Sequence, residues 1–520
     1  FICSDRPAKR GKLTEAHQLC VAAESQSPST AHRMNPELAV AGLAMWAVRL
    51  VCSCLFYSIF VPLLLPFELA YAFYSSYLQF LIKSCVERLE MVGNLDAIWM
   101  QDTPDNRAII NGVLVLREQL RLEQLRELVQ GKLVEATARG NRRVAAKFQQ
   151  IVSKRYRRYV WREDEAYSVR NHVIEHEGRP PACQAELEEI LSEYCSQGLN
   201  MQRPPWLIVL VPTAEGGSVL LFRGHHVIGD GVSLTTLMMT YLVDKPPAQI
   251  TPVRFGSGRS KFWMFAKAVL EAPYLLGRDL LRADDRSPLH GPALSGRKRL
   301  AWIRDIPLAQ VKRVRQATDS TVNDVLMACL ASSFRRYFLR RGWAIPGSLK
   351  AYVPIDMRPR SGEFELDNQF SLIFMGLDLS NGDPLKTLRQ TKRSMNRIKA
   401  SSLPVANYLA MIYCMANLPA WICEALFEVL AKKSSLILSN VPGPAEQLSI
   451  GGSVIEAMSF WVPSRSNIGL GVSILSYNNQ VSVGVITDTN IMEDPQQLAA
   501  DFKACLNQLE RAVKQGRNED

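Results

Sequence analysis

Histidine is scarce in this chain: seven residues in 520, with no HExxH pair among them. That scarcity weighs against a zinc site built on paired histidines. There is no GxSxG elbow, which disfavours a serine hydrolase working through a covalent intermediate. The eleven cysteines run from Cys3 to Cys505 without a regular framework and without a CxxC pair. A reducing compartment is therefore expected for most of the chain. The net charge of +11 fits nucleic acid, anionic lipid or an anionic small substrate, and charge alone does not choose among them. Apolar residues make up 47% and charged residues 21%, enough for a substantial core in two or three domains or one large two-part enzyme. The chain opens on Phe1, which suggests a fragment or a processed start.

Long apolar runs are present. Leu50 to Phe67, "LVCSCLFYSIFVPLLLPF", carries no charge, and as a helix it rises about 27 Å, close to a hydrocarbon core of about 30 Å. A second neutral run from Leu69 to Ile82 follows Glu68. Pro62 and Pro66 leave three readings open: one spanning helix, a re-entrant hairpin or interfacial embedding, or a buried soluble helix. Ala400 to Cys423 is also neutral, but Pro404, Asn407, Asn417 and Pro419 interrupt it, and a buried or lipid-touching helical pair is expected there.

Elsewhere the patterning is mixed α/β. "NGVLVL" from Asn111 reads as a strand, and Arg117 to Ala138 has a helical rhythm. "LIVLV" and "SVLLF" bracket the turn "PTAEGG", giving strand, turn, strand. "SKRYRRYVWR" from Ser153 is basic and reads as a solvated surface or a patch for phosphate or anionic lipid. A strong helix starts beside Thr321, short strands alternate from Leu436 onward, and Asp494 to Lys514 ends in a helix.

The stretch "SVLLFRGHHVIGDGVSLTTLM" carries the chemistry. A strand runs into His225 and His226, and a turn through Gly229 to Gly231 leads into a helix. On an extended backbone the two rings point to opposite sides, so one enters a cleft while the other packs behind it. A neutral imidazole accepts a proton from an alcohol near neutral pH, provided its other nitrogen is held. Asp230 is placed to hold the loop by accepting backbone bonds or by pairing with a remote arginine. Gly231 is expected to let the backbone enter the helix without crowding.

"HHVIGDG" resembles the HHxxxDG signature of CoA-dependent acyltransferases. The ordered set "GNLDAIWMQ", "RPPW", "TVNDVLMACL", "VPIDMRPR", "LDNQF" and "SNVPGP" resembles, more closely, the bifunctional wax ester synthase/diacylglycerol acyltransferase family, from about Leu89 to Ala499. Pro205 departs from that family's pattern, which has leucine there. The resemblance implies an α/β fold of two halves, each a mixed sheet with helices, plus an N-terminal membrane segment. Its parts are a polar stretch 1–38, a membrane-embedded segment 39–88, a first half 89–245 with the histidine motif, a crossover 246–300 and a second half 301–515.

The resemblance also implies the activity. A long-chain acyl group passes from acyl-CoA to a long-chain alcohol, giving a wax ester, or to diacylglycerol, giving triacylglycerol. His226 is the base; His225, Asp230, Gly231, Asn323 and Asp324 orient or support it. Pro204, Pro205, Trp206, Ser439 and Asn440 are candidate groove residues. No cofactor, metal or nucleic acid is expected, acyl-CoA being a substrate. The remaining partner is a lipid membrane, at the endoplasmic reticulum with the catalytic part in the cytosol. Two other readings remain: an HHxxxDG enzyme for a smaller alcohol or amine, and a catalytically silent lipid-binding protein.

Overall fold

The computed structural model describes residues 36–81, 89–137, 143–155, 158–247, 258–358 and 364–519. Most of the polar stretch 1–38 and the end of the segment 39–88 lie outside them. Helix α1 (Pro36–Leu55) continues through a π turn at Phe56–Phe60 into α2 (Val61–Phe80). Proline has no N–H to donate to the preceding turn. Just ahead of Pro62 the ladder widens by one residue, with Val61 N–H donating to the Phe56 carbonyl, and the helix runs on past Pro62 and Pro66. The chain does not fold back there, so the hairpin reading is replaced by one continuous helical run. Its window Trp46–Leu63 has a mean hydropathy of 1.7 and is long and apolar enough to cross a membrane. Only 6% of that window is buried among the described residues, less than a core helix shows.

Two six-stranded sheets form the body. The first contains β2 (Ile109–Leu116), β5 (Val173–Glu175), β6 (Trp206–Pro212) and β7 (Ser218–His225), and the small sheet beside it contains β1 (Glu90–Met91), β3 (Gln150–Arg155) and β4 (Arg158–Glu163). The second contains β8 (Lys298–Pro307), β9 (Ser348–Asp356), β10 (Phe370–Asp378), β11 (Leu436–Pro442), β14 (Leu470–Tyr477) and β15 (Gln480–Asp488). Between β11 and β14 the chain leaves its own sheet. There β12 (Ser449–Ile450) and β13 (Ser453–Trp461) complete the first sheet in the order β12-β13-β2-β7-β6-β5, with Trp461 opposite Asn111. The segment 301–515 thus builds both sheets. Both are mixed: β5 and β6 run parallel, as do β9, β11 and β14, and the other pairs are antiparallel.

The period of two along β6 and β7 sends alternate residues into two cores. Ile208, Leu210 and Leu220 pack in the first half's own core. Val209, Val211, Val219 and Leu221 meet Leu300, Trp302 and Ile486 of the second sheet. Both faces of β7 are covered, which explains why "SVLLF" reads as an unbroken apolar run rather than an alternating one.

Among the helices, α3 (Gly231–Leu237) follows the histidines directly, while α4 (Gly258–Leu280), α5 (Val322–Arg340) and α6 (Leu403–Asn417) come later in the chain. α7 (Ala420–Ala431) follows α6, as the helical pair read from Ala400 to Cys423 requires. The long N-terminal run lies against this body. Arg49 pairs with Glu271 at 3.0 Å, the Tyr57 hydroxyl donates to the Val269 carbonyl at 2.6 Å, and the Tyr413 hydroxyl donates to Glu68.

Candidate active site

The two histidines stand where β7 ends. His225 is its last residue and His226 opens the turn, its N–H donating to the Ala108 carbonyl at 2.8 Å. His225 is 2% exposed and His226 8%. His225 Nδ1 accepts the Val227 N–H at 3.2 Å, while its Nε2 lies 3.4 Å from Asp102. Both its nitrogens are engaged. His226 Nδ1 lies 2.8 Å from Asn368 Oδ1, and no bond to its Nε2 is formed by a described residue.

Asn368 comes from the second half, just before β10, so the His226 ring sits on the junction. Trp99 stacks on that ring with centroids 3.7 Å apart and planes at 17°, and Phe370 lies 6.1 Å away. Burial pulls the imidazole down to about 4, against opposition from Asp230 and the Asn368 bond. The ring is therefore neutral near pH 7, as proton acceptance requires.

Asp230 does both tasks expected of it. As N-cap of α3 it accepts the Ser233 N–H at 2.9 Å. Its other oxygen accepts from Gln369 N–H at 3.0 Å and pairs with Arg358 at 2.8 Å. Arg358 also reaches Asp356 and Asp367, so one guanidinium clamps the histidine loop to the second half. Gly231 needs a correction: its φ is not positive and an added Cβ would meet nothing within 4 Å. The crowded glycine is Gly229, where a Cβ would lie 2.5 Å from Ser233 Oγ and 3.1 Å from Leu366.

The remaining sequence candidates lie around this centre in two groups. The Pro205 carbonyl accepts the His225 N–H at 2.9 Å and the Pro204 carbonyl accepts the Trp206 N–H at 2.8 Å, so "RPPW" braces the strand end. Trp206 is buried against Phe148 and His172, and its Nε1–H donates to the Phe148 carbonyl at 2.8 Å; this is a core position rather than a groove wall. In the second half, Asn440 donates to Asn323 Oδ1 at 2.8 Å. Asp324 closes a capping box with Thr321 at the start of α5, which accounts for its burial structurally. Ser439 sits on β11 opposite Ser473. No bond joins Asn323, Asp324, Ser439 or Asn440 to either histidine.

Sequence reasoning assigned no role to Asp96, Trp99, Asp102, Arg358 or Asn368. Four of these lie inside quoted motifs: Asp96 and Trp99 in "GNLDAIWMQ", Arg358 in "VPIDMRPR" and Asn368 in "LDNQF". Among the described residues no cluster of three or more His, Cys, Asp or Glu side chains is placed to hold a metal ion.

Two mixed sheets meeting over a buried imidazole define a two-domain α/β acyltransferase architecture of the condensation-domain type. The first condensation domain of the CDA synthetase superposes with a TM-score of 0.54 at 12% identity, over 83% of this chain and 97% of that one. The wax ester synthase/diacylglycerol acyltransferase from Marinobacter aquaeolei VT8 superposes with a TM-score of 0.60 at 20% identity, over 82% of this chain and all of that one. A probable diacylglycerol O-acyltransferase of Mycobacterium tuberculosis is 26% identical over 375 residues, 67% of this chain and 81% of the relative. The wax ester synthase/diacylglycerol acyltransferase catalytic domain matches residues 95–260, and the WS/DGAT C-terminal domain matches 366–510. Together these two matches cover more than half of the chain, which belongs to the wax ester synthase/diacylglycerol acyltransferase family and is an acyltransferase.

Proposed function

We propose that this enzyme moves a long-chain acyl group from acyl-CoA to a lipid hydroxyl, that of a long-chain alcohol or of diacylglycerol, with His226 as general base. The observation that carries this reading is the His226 ring itself: neutral, at the junction of the halves, one nitrogen held by Asn368 and the other unengaged. The free nitrogen takes the hydroxyl proton as the oxygen attacks the thioester carbon. The tetrahedral oxyanion collapses, the C–S bond breaks, and the CoA thiolate recovers the proton from the imidazolium. Trp99, stacked on the ring, and Asp230 favour the transient positive charge. No acyl-enzyme is needed, because holding both substrates at one imidazole supplies proximity as well as proton transfer.

The acceptor reaches the site from a membrane. Trp46, Phe67 and Phe73 on the N-terminal helical run, Trp263 on α4, and Tyr413 and Trp421 on α6 and α7 are all exposed. Met411 of α6 packs on the cluster of Trp99, Ala108 and Phe370, and Trp99 stacks on the His226 ring, so α6 lies one layer of side chains from it. The eight described cysteines are free thiols, consistent with a catalytic body in the cytosol, and we place the membrane at the endoplasmic reticulum.

A competition assay tests the substrate assignment: purified full chain, labelled palmitoyl-CoA, hexadecanol and diacylglycerol, with the lipid products resolved. Labelled wax ester or triacylglycerol is expected, with a modest preference for wax ester. Folded protein that forms neither ester yet acylates a small alcohol or amine would replace this reading with the alternative acyltransferase. Liposome flotation tests the membrane: Trp263→Ser with Trp421→Ser is expected to weaken binding, and unchanged flotation would remove that face from the membrane contact.

A further inference from the structure

We infer that Asn368 dictates which nitrogen of His226 carries the proton, and that Asp96 and Lys147 dictate which way Asn368 points. The catalytic consequence rests on His226 being the base; the geometry does not. An imidazole works as a base only through the nitrogen that lacks hydrogen, and two neutral tautomers compete. Asn368 chooses between them because its amide has an oxygen on one side and an N–H pair on the other.

The amide orientation follows from its neighbours. Asn368 Nδ2 lies 2.8 Å from the His226 carbonyl oxygen and 2.8 Å from Asp96 Oδ1. A backbone carbonyl can only accept. Reversing the amide would set its oxygen against both of these oxygens in a buried site, where each unmade bond costs about 1–3 kcal/mol. The side-chain oxygen therefore faces His226 Nδ1, at 2.8 Å, and that nitrogen must be the donor. The proton sits on Nδ1 and Nε2 is left with its lone pair.

Asp96 is fixed in its turn. Its Oδ2 pairs with Lys147 at 2.8 Å, and its Oδ1 also accepts the Asn368 backbone N–H at 3.0 Å. Lys147 donates in addition to the Ile228 carbonyl at 3.1 Å, two residues past the catalytic ring. Asp96 is 4% exposed and Asn368 3%. The chain Lys147–Asp96–Asn368–His226 thus crosses from the first half to the second and back, so the active tautomer is selected only when the halves are docked. Both residues are positioning residues, since neither needs to touch substrate.

The sharpest variant is Asp96→Asn. Lys147 would draw the new amide oxygen, which sets the new N–H pair against both the backbone N–H and the side-chain N–H pair of Asn368. The His226 carbonyl alone then still holds the Asn368 amide in its original orientation, so the inverted amide, which donates to His226 Nδ1 and moves the proton to Nε2, becomes more populated. Nitrogen-15 NMR of the histidine-labelled full chain, with the His226 signals identified by their loss in His226→Gln, reads the tautomer directly and independently of activity. The wild type is expected to show Nδ1–H, and D96N a shift toward Nε2–H. In kinetics, Asn368→Ala is expected to lower kcat about a hundredfold and D96N by less, with KM for acyl-CoA within about twofold in both. Asn368→Asp retains an acceptor for His226 Nδ1 but sets its second oxygen against Asp96 and the His226 carbonyl, so it is expected to lower kcat as well.

A wild-type Nε2–H signal, or a folded N368A with unchanged kcat and pH profile, would overturn the assignment. These outcomes are distinct from failure of the base reading, which would show as turnover by His226→Gln whatever tautomer the wild type holds.

Discussion

His225 binds the protein through both ring nitrogens, one to the Val227 N–H and one toward Asp102, and is nearly sealed from solvent. His226, one residue on, binds through Nδ1 alone, lies under Trp99 and borders the second half. The strand end separates them: β7 stops at His225, whose ring stays with the sheet, while His226 turns into the junction. Adjacency in sequence therefore carries no equivalence of role. A ring with two satisfied nitrogens is a strut, and a ring with one is available for chemistry.

The largest effect separates the pair. His226→Ala is expected to lose about a thousandfold in ester formation, within the usual range for a general base, with the fold intact by circular dichroism. His225→Ala should lose only about tenfold through misplacement of its neighbour. Its larger cost is stability, about 1–3 kcal/mol by denaturant unfolding, because the Val227 N–H is left buried without a partner. Comparable activity losses in the two variants would erase the distinction.

Next in size is the clamp that holds the loop. Arg358→Met leaves Asp230 facing the junction without its cation and is expected to cost about 3 kcal/mol in chemical denaturation, the range for breaking one side of a buried pair. The glycines sharpen the same point at lower cost. Gly229→Ala forces a methyl group against Ser233 Oγ, which is tied to the Asp230 and Asp367 carbonyls, and should destabilise by about 1–3 kcal/mol. Gly231→Ala enters open space and should stay within about 0.5 kcal/mol of the wild type.

The smallest effect is the pH response near neutrality. With His226 held down to about 4, kcat/KM should be flat between about pH 6 and 8 and fall only as pH approaches 4, whereas an ordinary histidine would place that limb near 6.5. The same shift has a sign for stability. Below 6.5 the unfolded chain takes up a proton that the folded ring refuses, so this group lowers folding stability as pH falls from 6.5 toward 4.

Local features were legible in the sequence. "LIVLV" and "SVLLF" became β6 and β7, "NGVLVL" lies in β2, and Thr321 caps α5 as its position suggested. Asp230 was readable because a carboxylate between two glycines ahead of a helix has few other tasks. Its arginine was not, since Arg358 lies 128 residues on and nothing local marks the partner. The His226–Asn368 bond spans 142 positions and was hidden for the same reason, although "LDNQF" flagged the residue. The departure of β13 into the first sheet is likewise a choice of partner, which its alternation cannot encode. "SKRYRRYVWR" reads as a charged surface, yet it spans the end of β3 and the start of β4, where Val160 and Trp161 are buried among arginines. "RPPW" was noticed through its motif, and its tryptophan turned out to be core.

The most direct test of the central claim is chemical rescue. His226→Gly, folded and loaded with acyl-CoA and long-chain alcohol, should form ester about a thousandfold more slowly than the wild type and recover activity when imidazole is added, more with more basic imidazoles. Ester formation by His226→Gly at the wild-type rate without added imidazole would contradict it.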